Sequence, residues 1–354
     1  MLLALLAILL TLILVVGIHE AGHALAAKIF SVKIQKISIG FGKALLSWKT
    51  KSGQELVWSI LPLGGYVQLL NSRIQKVSPE ELAVCFDKKP VWVRCIILAA
   101  GAIANLITAW LAFTLMFVIG YQQNPPLVQA VTPESMATKA GLKAGDRFLS
   151  VGEQDVNSWQ ETGMRLIISL GKKEVPAQIK ESDGTVRKIS LDLSQWRYKK
   201  GTLLQGLGIE PQLLSHKEQV KGQGLGEAFC HAFIKSVQLL SFFLLMLKLL
   251  ITGTLPFAVL LGPIGLFGVS VTSFLQGLPV FLYFIASFSL AVGLVNLFPF
   301  PGLDGGSIIY ALLEKIRGKP VSIPMEILLH QLAVIIFVLL LVQLILNDIQ
   351  RYLH

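Results

Sequence analysis

Gly17-Ile18-His19-Glu20-Ala21-Gly22-His23 places an H-E-x-x-H motif inside a segment, Met1 to Ala27, whose only charged residue is Glu20. A helix brings positions i and i+4 to one face, so His19 and His23 can grip one Zn²⁺ while Glu20 stands where it can take a proton from an attacking water. Ionisable groups at bilayer depth are costly and normally mark function, which argues against an accidental match. The helix that carries such a motif ordinarily lies in a soluble domain, whereas this one is apolar. The combination points to peptide-bond hydrolysis within the membrane.

Composition agrees with a membrane protein. Hydrophobic residues make up 53% of the 354, charged residues 15%, and mean hydropathy is +0.66. The net charge of +10 comes with no basic, aromatic-interleaved domain, so nucleic acid is not the expected partner; the positives fall in loops beside apolar spans, where they set orientation. Cys85, Cys95 and Cys230 are widely spaced and form no CxxC pair, and read as small buried hydrophobes. Residues 1–27 lack the basic n-region of a signal peptide, and the apolar stretch runs into the histidines, so the segment reads as a first transmembrane helix. At about 1.5 Å per residue, the chain before His19 covers roughly 27 Å, toward the far side of a ~30 Å hydrocarbon layer.

Further apolar spans are Val93–Gly120, Ala232–Ile251, Pro279–Phe298 and Ile327–Leu346. The segment after the first helix carries Lys28, Lys33, Lys36, Lys43, Lys49, Lys51, Arg73, Lys76, Lys88, Lys89 and Arg94 against Glu55, Glu80, Glu81 and Asp87. The positive-inside rule makes that side cytoplasmic, and the N-terminus and the insert 121–230 extracytoplasmic. Within the insert, Val128–Val131, Arg147–Val151, Val175–Ile179 and Val186–Leu193 read as strands, and Ser158–Leu170 as a helix capped by Asn157 or Ser158 with Glu161 in its first turn. Ser135 to Leu149 resembles the signature of a PDZ domain. Gln205-Gly206-Leu207-Gly208-Ile209 resembles the glycine-rich turn with which such domains capture a chain terminus on exposed backbone N–H groups. A small α+β domain that merely spaces the helices is the plainer alternative.

The second chemical motif is Asn296-Leu-Phe-Pro-Phe-Pro-Gly-Leu-Asp304-Gly-Gly306. Its prolines and glycines break an apolar helix, which a membrane tolerates where the backbone is buried in protein or lines a cavity. Asp304 is thereby a carboxylate delivered to membrane depth. His19, His23 and Asp304 make a three-ligand set with a fourth position left for water, the arrangement of a catalytic zinc site. Capping of the helix that follows is the alternative role for Asp304.

With both motifs in place the chain resembles the site-2 protease family, in particular the bacterial regulator-of-sigma-E protease branch. Further matches are Gly40-Phe-Gly42, Pro62-Leu-Gly-Gly-Tyr-Val67, Phe86, Lys89-Pro90, Arg94, Leu191-Asp-Leu193, Trp196, Gly262-Pro-Ile-Gly265 and Arg317-Gly-Lys-Pro320. Two departures stand out. Gly101-Ala-Ile-Ala-Asn105 has alanine where the family has the proline of G-P-x-x-N, and the insert has room for one PDZ domain where well-studied sigma-E proteases have two. The resemblance implies a β-hairpin over 33–70 re-entering the membrane beside the zinc. Physically, an open strand edge there can hold an unwound substrate by main-chain pairing, and Asn105 and Asn296 can donate side-chain hydrogen bonds to that extended chain. Helix–helix hydrogen bonding is the competing role for both asparagines.

The expected fold is therefore a polytopic α-helical membrane protein with about four transmembrane helices, a re-entrant β-hairpin and one inserted PDZ domain. Its expected regions are 1–120 (H-E-x-x-H helix, β segment, second span), 121–211 (extracytoplasmic PDZ domain), 212–278 (interfacial helical linker) and 279–354 (the region of the L-D-G motif). Chain parity assigns 229–251 to the outer interface, because a single extra crossing there would carry Asp304 to the side opposite His19 and His23. His216, His231, His330 and His354 read as structural or interfacial. The expected function is that of a zinc-dependent endopeptidase in the bacterial cytoplasmic membrane with Glu20 as general base. By resemblance it cleaves single-span, type II-like proteins already shortened by another protease, such as anti-sigma factors and remnant signal peptides. A membrane-anchored PDZ adaptor with a degenerate metal centre, and another class of membrane zinc protease, are the competing readings. Gly206, Leu207, Gly208 and Ile209 complete the expected substrate-binding set.

Overall fold

A computed structural model describes residues 2–50, 53–196, 202–212 and 217–353; His216 and His354 lie outside them. The apolar N-terminal segment, rich in Leu, Ala and Ile and free of proline, forms one continuous helix α1 (Leu2–Ile29). A π-helical stretch, Leu12–Gly17, interrupts its α geometry immediately before His19. Such wide turns are rare and tend to occur at functional sites.

Two long strands follow, β1 (Ile34–Lys49) and β2 (Glu55–Leu69), paired antiparallel. Both bend sharply where glycine supplies positive φ: Gly40 (91°) and Gly42 (86°) in β1, Gly64 (136°) in β2. The bends let each strand contribute twice to one sheet. Ile37 pairs with Val67 on one side and Leu56 on the other, and Val57 pairs with both Ser38 and Ser47. The segments therefore run 65–69, 34–39, 55–59, 44–49, and among the described residues 44–49 has a partner on one side only. The expected hairpin is present and more folded than the sequence suggested. Its base is clamped by an apolar cluster of Ala26, Ala27, Val32, Ile34, Val93 and Ile97.

Helix α2 (Val91–Ile119) runs 29 residues without a break, with Ala102 buried at the position where the family's proline would sit. The chain then enters the insert: β3 (Tyr121–Gln123), β4 (Val128–Val131), α3 (Met136–Lys139), β5 (Arg147–Val151), β6 (Gln154–Asp155), α4 (Trp159–Ile168), β7 (Val175–Lys180), β8 (Val186–Leu191), α5 (Leu203–Leu207), β9 (Ile209–Pro211) and β10 (Glu218–Val220). Strands β6-β5-β7-β8 form one sheet, β4 pairs with β9 and β3 with β10. Ser158 is the cap of α4: its Oγ accepts from Glu161 N–H at 3.2 Å, and the Glu161 carboxylate accepts from Asn157 N–H at 3.0 Å.

Helix α6 (Leu225–Ile251) is followed by α7 (Pro263–Leu275), α8 (Leu278–Asn296), α9 (Asp304–Arg317) and α10 (Ile323–Leu353). The described residues divide into two compact units, 1–118 with 224–240 and 260–354, and 119–223 with 241–259. The expected linker 212–278 is thus shared between them. In the second unit, Met246, Leu249, Leu250, Leu255 and Val259 pack on the same core as Val128, Phe148, Leu166, Ile179 and Leu207.

Among the described residues, six helices are long and apolar enough to cross a membrane: α1, α2, α6, 257–275, α8 and α10. The helix over 257–275 went unrecognised in the sequence, where Gly262-Pro-Ile-Gly265 stood out only as a motif. Within the first unit its inner part, α7, is tied at its start and midway along its length. Ser270 Oγ lies 2.8 Å from Thr11 Oγ1 of α1, and the Asp348 carboxylate of α10 accepts from Gly262 and Gly265 N–H, each at 2.9 Å. Asp348 is fully buried and closes the α7 N-terminus.

Candidate metal centre

Three elements bring His19, His23 and Asp304 to one point. The i, i+4 spacing on α1 sets the two imidazoles edge to face, at an interplanar angle of 82°, with Nε2 to Nε2 at 3.2 Å. Leu297 to Leu303 turn the chain back so that Asp304 opens α9, and its Oδ2 stands 3.2 Å from each histidine Nε2. The turn is tight enough that a Cβ at Gly305 or Gly306 would overlap the carbonyls of Leu297, Phe298 and Phe300.

The three candidate ligand atoms thus form a triangle with 3.2 Å edges. Tetrahedral bonds of about 2.0–2.1 Å leave ligand atoms roughly 3.3 Å apart, so the set suits a zinc ion without rearrangement. Asp304 Oδ2 is buried with no hydrogen-bond partner among the described residues, the condition of an atom reserved for a cation. Its alternative role as helix cap is not realised: Leu303 holds the cap position, and no side chain caps α9 there.

The surroundings fix these groups. His23 Nδ1 lies 2.8 Å from the Ile97 carbonyl, so Nδ1 carries the proton and Nε2 keeps its lone pair for the centre. Helix α2 presses against both rings at Gly101, where a Cβ would overlap His23 Nε2 and lie 2.8 Å from His19 Nε2. At Gly22, a Cβ would come within 2.8 Å of the Ala104 Cβ. Strand β2 closes over the acid: a Cβ at Gly65 would lie 2.8 Å from Glu20 Cγ and 3.0 Å from its Oε1. Glu20 is 5% exposed. Helix α9 is held to α2 by a two-armed ion pair, Arg94 to Glu314 at 2.9 Å on each arm, with Arg94 buried. Glu314 was not singled out in the sequence, and Gly101 and Gly65 stood out only within the matched stretches Gly101–Asn105 and Pro62–Val67, with no role at the site.

The expected substrate-contacting residues fare differently. Asn105 is wholly buried, and its amide faces Nδ1 of the candidate ligand His19 at 3.3 Å. Asn296 is part-buried, and its amide donates to the Val292 carbonyl one turn back at 3.1 Å. The expected glycine-rich turn is not an open cradle. A capping box between Thr202 and Gln205 starts helix α5, which absorbs Gly206 and Leu207, and Gly208 (φ 81°) is its left-handed C-cap. Gly206 N–H donates to Thr202 O and Gly208 N–H to Gln205 O, each at 3.0 Å, while Ile209 pairs with Val131. Those amides are spent inside the domain.

The profile of peptidase family M50 matches residues 7–340. Protease RseP of Yersinia pestis is 28% identical over 435 positions, covering 96% of each chain, and the regulator of sigma-E protease RseP of Escherichia coli K12 is 28% identical, covering 95% of this chain and 96% of its own. A Rickettsia conorii protein named as a zinc metalloprotease is 30% identical over 359 positions, covering 99% of both. The chain belongs to peptidase family M50, the site-2 proteases. It is a multi-pass membrane metalloprotease with zinc as its metal, of the regulated intramembrane type. The alignments to the Yersinia and Escherichia proteins are longer than this chain's 354 residues, so those relatives carry insertions that it lacks; the Rickettsia protein matches its length.

Proposed function

We propose that His19, His23 and Asp304 bind one zinc ion and that Glu20 is the general base of an endopeptidase cleaving transmembrane segments of pre-trimmed, single-span proteins in the bacterial cytoplasmic membrane. The observation that carries this reading is the triangle of unspent ligand atoms at 3.2 Å, one of them a buried carboxylate oxygen with no other partner. Zinc, when bound, supplies Lewis-acid polarisation of a carbonyl and activation of water at neutral pH. Glu20, adjacent to His19 in sequence and covered by β2, takes the water's proton and returns it to the leaving amine. The one-sided strand 44–49, with Leu45, Leu46 and Trp48 more than half exposed, offers main-chain pairing to a substrate helix that must unwind before its amides can be reached.

Four spans, α1, α2, α8 and α10, deliver His19 and Asp304 to one side. Helix α6 does not cross in this reading, because 246–259 belongs to the core of the insert, which the charge asymmetry directs outward. The insert, a PDZ domain by its sequence resemblance, faces the new chain ends left by a first cut. Its carboxylate-capturing role is not retained, since the amides of Gly206 and Gly208 are spent. Anti-sigma factors and remnant signal peptides remain the proposed substrate class; the name of the Escherichia relative, a regulator of sigma-E protease, supports the first of these.

Purified protein in detergent with a single-span substrate, in full-length and outer-domain-trimmed forms, tests this. Cleavage mapped by mass spectrometry falls within the apolar segment, favours the trimmed form and disappears in Glu20→Gln. Cleavage outside that segment, or by the Glu20→Gln variant, contradicts it.

A further inference from the structure

We infer that Asn105 is a positioning residue of the metal centre: its side-chain carbonyl accepts the His19 Nδ1 proton and so fixes the ring that offers Nε2 to the metal. This rests on the zinc-ligand reading above. Asn105 is 0% exposed, and its amide stands 3.3 Å from His19 Nδ1 while Oδ1 has no hydrogen-bond partner among the described residues. An imidazole that gives Nε2 to a cation carries its remaining proton on Nδ1 and can only donate there. An amide NH₂ also only donates, so nitrogen facing nitrogen is repulsive in the loaded site. A half-turn about the terminal torsion exchanges the amide's oxygen and nitrogen in nearly the same volume, and it gives the unpartnered Oδ1 the partner it lacks.

The backbone around Asn105 is built to hold this pose. Ser289 Oγ, on α8 and fully buried, donates to the Asn105 carbonyl at 3.1 Å. Gly293, one turn further along α8, leaves room for α2: a Cβ there would lie 3.3 Å from Asn105 Cβ. Gly101, one turn before Asn105, touches both imidazoles. The two histidines are thus oriented by different means from one helix, His23 by the backbone carbonyl of Ile97 and His19 by the Asn105 side chain.

The test compares zinc affinity, by chelator competition, and the visible spectrum of the Co²⁺-substituted protein in wild type, Asn105→Leu and Asn105→Asp. Asn105→Leu keeps the branched four-atom shape, in a bulkier form, but removes the acceptor, and its zinc affinity falls about 10- to 100-fold with an altered Co²⁺ spectrum. Asn105→Asp, which still accepts from Nδ1–H, stays within a few-fold of wild type. If Asn105→Leu does not accumulate as folded protein, Asn105→Ala, which adds no volume, carries the same expectation. Unchanged metal affinity in the acceptor-free variants, or a rise in KM alone, overturns the inference and returns Asn105 to packing or substrate contact. The underlying reading is judged separately: it fails if wild type holds no zinc, or if His19→Ala holds as much as wild type.

Discussion

Gly101 lies flush against His23: a single methyl group at this point of α2 would overlap the Nε2 atom that faces His19 and Asp304. The helix that packs on the H-E-x-x-H face therefore sets how far apart the two imidazoles can stand. Gly101→Ala is expected to lose most of its bound zinc and its proteolysis, while helix content by circular dichroism stays unchanged, since alanine is a good helix former. Full zinc occupancy in Gly101→Ala would show that α2 yields at this contact.

Arg94 and Glu314 hold the Asp304-bearing helix against α2. Breaking one side leaves the other charge poorly compensated, at a cost of about 2 kcal/mol or more, since Glu314 keeps some water access. Arg94→Lys, which cannot reproduce the fork, is expected to lower the thermal midpoint and weaken zinc binding together. Charge reversal of both residues should recover part of the loss. Thermal unfolding with and without added zinc measures this, and an unchanged midpoint in Arg94→Lys would remove the pair from the account.

Asp348 reaches two backbone N–H groups at the start of α7 from the far end of the chain. Asp348→Ala leaves both buried donors unpaired and is expected to cost about 2–3 kcal/mol, with Asp348→Asn recovering part of it. Denaturant or thermal unfolding of detergent-solubilised protein reads the difference. Because the Asp348 contacts involve Gly262 and Gly265 and none of His19, His23 or Asp304, zinc content per folded chain should be unchanged.

Topology has a sharp test. Reporters near 225 and 275 face the same side whether α6 and 257–275 both cross or neither does, so those positions cannot decide. A reporter at Thr254 can: the packing of Leu255 in the insert's core predicts an extracytoplasmic signal there. A cytoplasmic signal would give six spans.

The most legible parts of the sequence were those where chemistry leaves few alternatives. Two histidines four apart around a glutamate, and an aspartate in a Pro- and Gly-broken helix, met as expected. Val128–Val131 and Arg147–Val151 occupy the strands read from alternation and turn residues. The Gly206–Ile209 stretch misled because its glycines suggested an open turn, while the Thr202 and Gln205 side chains that start a helix were the stronger local signal. Helix α7 was hidden because its apolar residues merge with those around it, and an acid at 348 capping residue 262 has no local signature. Asn105 shows the same limit: its partner lies 86 residues earlier, and only packing reveals that it faces His19.

The central claim is that His19, His23 and Asp304 hold zinc while Glu20 does chemistry without holding it. Metal analysis of purified wild type, Glu20→Gln and Asp304→Ala tests this most directly. About one zinc per chain is expected in wild type and in the proteolytically dead Glu20→Gln protein, and little in Asp304→Ala. Stoichiometric zinc in Asp304→Ala would contradict it, because the third ligand would then lie elsewhere.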